Sequence, residues 1–342
     1  MLIDGGIYLK NPGHFGNGVE FNDLRIGVKA VYQDWRMKLE TGYVGNKLAI
    51  KDAFITYSYK NSLIQIGQFY EPFSPDMLCS TSDLRFNQSA GATLALTNSR
   101  RMGVTYSYSA KHYYLCGGLF TDNDLNNLKN VSPGYAIDGR VVYRPVNESR
   151  RLLHLGVAVI YRTPDGTLPD DENRNTFVYK SPGVSTIDNR DILFANVDNA
   201  VSQFKLGAEL LLVYHKFFLQ SEYIRTHVNR KNDFRNYAAH GAYVQSSWLF
   251  LGQNYLYDET AACPARPEGK ALELCTRFNY LTLNDQAAGI EGGMQKDLSI
   301  GLNYYLNKHI AFKLNYSYFI SGVHTQDIDN FSILQGRLQF VF

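Results

Sequence analysis

The chain runs out through Leu334-Gln335-Gly336-Arg337-Leu338-Gln339-Phe340-Val341-Phe342, apolar and polar residues taking turns, and the same two-residue period returns in segment after segment upstream. A period of two belongs to a strand with two unlike faces. Repeated along 342 residues, it creates an apolar, aromatic-rich surface that water penalises and hydrocarbon accepts. Hydrocarbon offers no partner to a free N–H or C=O, so strands that cross it must close on themselves. The expected fold is all-β: a transmembrane antiparallel β-barrel of about 16 strands, an even number as in bacterial single-chain barrels.

Composition agrees. Tyr 25 and Phe 20 bring aromatic residues to 14%, as rings at two membrane interfaces require, while the mean hydropathy is only -0.26. The longest apolar runs, such as Leu210-Leu211-Leu212-Val213-Tyr214, fall far short of the roughly twenty residues of a spanning helix. No Pro/Ser-rich linker divides the chain, so residues 1–342 are expected to form one barrel domain. Met1-Leu2-Ile3-Asp4-Gly5-Gly6 has neither a basic nor an apolar export region, and the numbering is read as that of a chain whose signal is already gone. A net charge of +2 gives no reason to expect a nucleic-acid partner. Cys79, Cys116, Cys263 and Cys275 lack C-x-x-C spacing; Cys263 and Cys275 are equally readable as a pair or as free thiols.

Alternation locates the strands. In Leu24 to Ala30 the Leu, Ile, Val and Ala share one face and Arg25, Gly27 and Lys29 the other; across the Gln33-Asp34 turn, Trp35, Met37, Leu39 and Tyr43 face outward and Arg36, Lys38 and Glu40 inward. Further strands are expected at 6–10, 49–59, 63–69, 102–108, 113–120, 137–144, 153–162, 204–214, 217–228, 238–251, 272–283, 298–306, 310–318 and the C-terminus, with a further turn at Gly45-Asn46. Short turns at 33–34, 60–61, 110–111, 215–216 and 307–308 mark the periplasmic end; the long connections 11–18, 70–99, 121–134, 163–199, 284–292 and 321–331 mark the extracellular end. Residues 252–270 break the rule, being long where a short turn is due. They are either an elaborated turn or a sign that the strand count is wrong by one hairpin.

Gly67-Gln68-Phe69-Tyr70-Glu71-Pro72-Phe73-Ser74-Pro75-Asp76, followed by Thr81-Ser82-Asp83-Leu84-Arg85-Phe86, resembles the phosphate-selective porin O and P family of bacterial outer membranes. Supporting matches recur in order, among them Asp34 to Glu40, Lys51 to Phe54, Leu153 to Val157, Gly241 to Gln245, Leu281 to Asp285 and Gly301 to Asn307. The resemblance implies a homotrimeric, roughly sixteen-stranded outer-membrane porin, in contact with membrane lipid and lipopolysaccharide, whose third loop folds inward and narrows the pore. Residues 70–99 suit such a loop: long, polar, and unable to leave their backbone groups in lipid. An exposed extracellular loop is the plainer reading.

The constriction is then expected to involve Asp76, Ser80, Thr81, Ser82, Asp83, Arg85, Asn87, Gln88, Arg100 and Arg101. Passage of small anionic solutes needs cations that replace part of the hydration shell, and Arg offers a fork of donors where Lys offers a point charge. Strand parity turns Arg25, Lys29, Arg36, Lys38, Arg101, Arg140, Arg144, Lys205, Arg277, Lys313 and Arg337 inward, against Glu40, Asp52, Asp138, Glu209, Glu222, Glu273 and Asp297. Each base either lines water or pairs with an inward carboxylate as part of the wall. Asp122-Asn123-Asp124-Leu125-Asn126 opens like a calcium loop but lacks its glycine and closing glutamate, the histidines are scattered, and no nucleophile elbow appears. No catalytic residue, metal or cofactor is expected. The function implied is passive, anion-preferring diffusion of small hydrophilic solutes, phosphate-like anions among them. The alternative is a structural barrel with an occluded lumen, serving as a platform for partners.

Overall fold

The structure is a computed structural model that describes residues 1–11, 14–44, 47–126, 132–166, 175–188, 190–231, 233–322 and 330–342. The Gly45-Asn46 turn therefore lies outside the described residues. The strands are β1 (Leu2–Lys10), β2 (Gly18–Tyr32), β3 (Trp35–Val44), β4 (Lys47–Tyr59), β5 (Ser62–Phe69), β6 (Arg101–Ser109), β7 (Tyr113–Thr121), β8 (Tyr135–Glu148), β9 (Arg151–Arg162), β10 (Phe177–Ser181), β11 (Leu193–Val197), β12 (Ala200–Tyr214), β13 (Phe217–Arg230), β14 (Tyr237–Leu251), β15 (Tyr255–Asp258), β16 (Cys263–Pro267), β17 (Ala271–Asp285), β18 (Ile290–Tyr305), β19 (Ile310–Ser321) and β20 (Phe331–Phe340). Two short helices, α1 (Pro75–Leu78) and α2 (Gly91–Leu96), interrupt the third loop.

Sixteen of these strands form one closed antiparallel barrel, with β10–β11 and β15–β16 as separate two-stranded hairpins. Closure brings β20 against β1, where Gly5 faces Gly336 and Asp4 faces Arg337. That last pair seals the seam with two hydrogen bonds of 2.6 Å from guanidinium to carboxylate. Alternation translates directly into burial. On β13, Phe218, Gln220, Glu222 and Ile224 are buried toward the interior, while Tyr223 and Arg225 lie on the exposed outer face. Outer rings such as Trp35, Tyr59, Tyr106, Tyr214 and Trp248 remain exposed, as a lipid-facing surface demands.

Three segments turn into the barrel. The third loop enters between β5 and β6. The β10–β11 hairpin folds in from the long-loop end, burying Tyr179, Leu193, Ala195 and Val197 against α2, β17 and β18. The β10–β11 hairpin thus caps part of the mouth from within; of the long 163–199 connection, the charges Asp170, Asp171, Glu172 and Arg174 lie outside the described residues. The β15–β16 hairpin enters from the short-turn end, so residues 252–270 are an elaborated turn and the count of sixteen stands. One boundary differs from expectation. Connection 284–292 is mostly strand, because β17 continues to Asp285 and β18 begins at Ile290 around a single 3-10 turn. All four cysteines are free and buried, so Cys263 and Cys275 do not form the pair that was one of two readings.

Gly67 shows how tightly neighbouring strands approach. Its φ is +135°, and an added Cβ would lie 2.2 Å from the Ala53 carbonyl oxygen, whereas at Gly117 the nearest atom would be 3.9 Å away. Gly67→Ala is expected to abolish the heat-resistant folded band on semi-native gels, and Gly117→Ala to preserve it. Equal folding of the two variants would contradict this account of the β4–β5 contact.

Candidate pore constriction

The third loop leaves β5 at Phe69, whose ring meets Phe54 and Phe120 edge-on at 5.9 and 5.3 Å. Ser74 caps α1, its hydroxyl accepting the Met77 amide at 3.3 Å, with Pro75 at the first helical position. Asp76 then closes the loop on itself: its carboxylate accepts the Ala90 amide at 2.9 Å, while its own amide donates to Glu222 on β13 at 3.0 Å. Burial pushes the Asp76 carboxyl above its ordinary value, against the pull of Arg277. α2 lies along β13, β14 and β17, close enough that a Cβ on Gly241 would meet Ala92 at 2.8 Å.

Between the helices the backbone makes no regular structure, so its carbonyls need donors from elsewhere. They get them from the wall. Lys313 donates to the Ser82 carbonyl at 3.3 Å and also to that of Leu84. Gln339 adds a second donor to Ser82 at 3.1 Å, Asn303 reaches Arg85 at 2.9 Å, Arg337 reaches Asn87 at 2.7 Å and Arg277 reaches Gln88 at 2.8 Å. Arg277 also stacks over the Phe86 ring at 4.4 Å. Three of the basic residues that parity turned inward are thus buried under the loop and occupied with its main chain.

Others have comparable tasks. Arg140 donates to Glu209 from Nε and Nη2, at 2.9 and 3.2 Å, and to the Ala261 and Ala262 carbonyls of the β15–β16 hairpin at 2.8 and 2.6 Å. Arg144 holds the Ala110 turn and the Tyr113 carbonyl. Lys205 donates to Asn98 at 2.8 Å. Arg85, only 2% exposed, stacks over Phe218 at 3.4 Å and pairs with Glu273 at 3.3 Å, and donates to Ala265 of the hairpin at 3.3 Å. Asn87 is buried, and Gln88 bonds Thr186 at 2.8 Å. Arg101 turns to Asp122 at 3.1 Å and Ser99 at 2.6 Å, joining a network in which Arg162 bridges Glu71 and Asp122.

Water-accessible charge gathers on β2–β4, across β1 from the β17–β20 wall. Arg25 and Lys38 keep side-chain exposures of 24% and 23% and pair with Asp23, Glu40 and Asp52. Arg100 pairs with Asp52 and stacks over Tyr70 at 4.0 Å. Lys29 and Arg36 are exposed nearer the short-turn end. Ser80, Thr81, Ser82 and Asp83 come from the third loop, with Arg25 donating to the Thr81 hydroxyl at 2.9 Å and Arg266 of the hairpin 3.5 Å from Asp83. Burial raises the Asp83 carboxyl above its ordinary value, and Arg266 and Lys313 oppose the rise.

Parity missed two members of this group, Asp23 and Lys51. The register shifts opposite Leu39/Thr41, so Asp52 and Lys51 both reach the interior; a Cβ on Gly42 would stand 2.8 Å from the Lys51 Cε and 3.6 Å from the Arg25 Cγ. Among the described residues Lys51 makes no ion pair, nor do Lys29 and Arg36. Arg266 and Tyr70 were also missed, the first because its hairpin gave no sign of entering the lumen. The consecutive charges Lys51-Asp52 in a strand are the available sequence signal for the bulge, since both cannot occupy one face of a regular strand.

The inner clamp has a mechanical consequence. Arg140→Ala would leave Glu209 buried without its bidentate partner and free two hairpin carbonyls, a loss of about 3–5 kcal/mol by the usual cost of breaking a buried pair. The expected readout is a lower unfolding midpoint in denaturant than that of Lys29→Ala, which disturbs no such contact. Matching midpoints would refute the clamp.

The family model described as Phosphate-selective porin O and P matches residues 19–342. Porin O of Pseudomonas aeruginosa is 24% identical over 91% of this chain and 78% of its own length. A Caulobacter vibrioides protein without an assigned function is 28% identical over 92% of this chain. This chain spans 64% of that protein's length. Among solved structures, an anion-selective porin from Comamonas acidovorans superposes with a TM-score of 0.63 at 11% identity, covering 100% of this chain and 99% of the other. A trimer form of OmpT, an outer membrane protein of Vibrio cholerae, gives 0.63 at 10% identity, with 100% and 97% covered. At these identities the structural likeness establishes the barrel alone. Together with the match along nearly its whole length, it shows that this outer-membrane barrel belongs to the phosphate-selective porin O and P family.

Proposed function

We propose that the chain is a passive channel for small hydrophilic anions, conducting off-centre along β2–β4 and not through the middle of the barrel. The observation that carries this reading is the division of inward cations: Arg277, Lys313 and Arg337 are buried beneath the third loop, while Arg25 and Lys38 stay partly exposed beside Lys51. In that sector Arg25, Lys29, Arg36, Lys38, Lys51 and Arg100 outnumber Glu20, Asp23, Glu40 and Asp52. Lys51, Lys29 and Arg36 make no ion pair among the described residues, so an entering anion meets donors not already satisfied. Phosphate-like solutes suit the group because Arg25 and Arg100 supply forked donors beside the lysines. The anion selectivity of the Comamonas porin and the phosphate selectivity for which the family is named support an anion preference, and the trimeric OmpT form supports a homotrimer.

A unit charge about 5 Å from a passing ion in water is worth about 0.8 kcal/mol, about fourfold in relative permeability. Lys51→Gln is therefore expected to lower the chloride-over-potassium permeability ratio in planar bilayers by about that factor. An unmoved reversal potential would remove Lys51 from the conduction path. Burial raises the Asp83 carboxyl, and its protonation removes a negative charge, so anion preference is expected to grow as pH falls, beginning at a higher pH than an ordinary carboxyl would require. That step should vanish in Asp83→Asn; its persistence would assign the titration elsewhere.

The occluded-platform reading is favoured by one specific observation: the third loop and the β10–β11 and β15–β16 hairpins all occupy the lumen. Single-channel recording separates the two. Discrete conductance steps support the channel, and an electrically silent, folded protein supports the platform.

A further inference from the structure

The outward face of the barrel carries an anomaly. On β5 to β9, β12, β19 and β20 the outward positions are apolar, aromatic, small or uncharged polar residues, apart from Glu148 and Arg151, which face each other at the short-turn end. On β13, β14 and β18 they include Arg225, His227, His240 and Lys296. Arg225 faces His240 across the β13–β14 ladder, and Tyr280 faces Lys296 across β17–β18. The His240 ring lies between Tyr223 and Tyr280, with centroids 6.1 and 5.8 Å away. Arg225 and Lys296 are exposed, and among the described residues neither makes an ion pair or a hydrogen bond. Among the described residues, the carboxylates at the long-loop ends of β17 and β18 are Asp285, which accepts the Ala238 and Ala288 amides, and Glu291, opposite Asn284.

Height gives the patch its meaning. Arg225 stands eight residues above Phe217, where β13 begins, and Lys296 nine above Tyr305, where β18 ends. At about 2.5 Å of height per residue in a tilted strand, both lie about 20–23 Å from the short-turn end. That is the far edge of an apolar band about 25 Å tall, where lipid headgroups begin. A second feature approaches from below. The register row Val157, Ala208, Tyr223, Ala242, Tyr280, Lys296 climbs toward the patch. Because Ala208 is small, part of this row is a groove of about 540 Å³ between Val141, Leu155, Leu210 and Tyr223. A cationic cluster at headgroup level and an apolar groove at chain level, meeting at Tyr223, which lines the groove and lies against His240, match an amphiphile with a phosphorylated head and long acyl chains.

We propose that the β13–β18 sector is a docking surface for an anionic, phosphorylated lipid of the outer leaflet, its phosphate held by Arg225, His240 and Lys296 and an acyl chain lying in the Ala208 groove. Uncompensated cations facing lipid are costly, and a lipid phosphate offsets that cost where bulk phosphate, hydrated and without an apolar anchor, gains little. The surface is separate from the pore, so the proposal is independent of conduction.

Native mass spectrometry of the purified protein in detergent tests it, with bisphosphorylated lipid A as probe, and phosphatidylcholine and sodium phosphate as comparisons. The expected result is selective retention of lipid A, weakened about tenfold in Arg225→Gln/His240→Gln/Lys296→Gln, with phosphatidylcholine retention and bilayer conductance unchanged. Lys296→Arg should bind as the parent does. Lipid A binding unaffected by the triple change would overturn the proposal, as would equally tight phosphatidylcholine. Displacement by sodium phosphate alone would reduce the patch to an ion site. Loss of oligomer size without loss of lipid would assign the face to a second copy of the chain instead.

Discussion

A loop inside a membrane barrel must find donors for carbonyls that neither helix nor sheet supplies, and this requirement organises the interior. From Ser82 to Gln88 the third loop is tied down by Lys313, Asn303, Arg337, Arg277 and Gln339, all projecting from β17 to β20. The arrangement explains why so many buried bases are tolerated. Each meets carbonyl oxygens as well as a carboxylate or an aromatic face, and a buried cation so surrounded is far less costly than an isolated one. Asp4 completes the logic at the seam, since Arg337 closes the barrel and anchors the loop with one side chain.

The same requirement divides the lumen. Where the loop's main chain is bonded to β17–β20, charge is consumed by structure; on the β2–β4 side, where Arg25 meets the loop through the Thr81 hydroxyl, charge keeps contact with water. The β15–β16 hairpin deepens the asymmetry by filling space below the loop and fastening to Arg140, His154 and Arg85. Whatever crosses is confined between protein walls of low polarizability, where the field of each remaining cation is felt more strongly than in an open pore. A narrow path needs few free charges to be selective.

Much of this was legible in the chain itself, and the division between what was and what was not is physical. A period of two reports which side of a sheet a residue faces, so all sixteen barrel strands, the outward aromatic residues and the inward direction of Arg140, Lys205, Arg277, Lys313 and Arg337 could be read directly. It cannot report what lies against that side. Whether Lys313 meets water or the carbonyl of Leu84 depends on a loop more than two hundred residues away in sequence. The period also fails where a register shift breaks it, which is how Lys51 escaped notice beside Asp52. Hairpins β10–β11 and β15–β16 were hidden for a third reason: their strands are four or five residues long, too short for alternation to stand out from loop.

Net charge is therefore a poor guide to selectivity here. Thirty-four basic and thirty-two acidic side chains leave +2, a balance that by itself suggests indifference to the sign of a solute. Yet the pairs are not spread evenly. Arg140 with Glu209, Arg85 with Glu273, Arg162 with Glu71 and Arg337 with Asp4 cancel within the wall, where water does not reach them. What an ion in the β2–β4 sector meets is the remainder left uncancelled there, Lys29, Arg36 and Lys51, which is positive. Barrel closure and loop anchoring withdraw charges of both signs from contact with solvent, so on the proposed route a small surplus in the open sector sets the field however neutral the whole chain is.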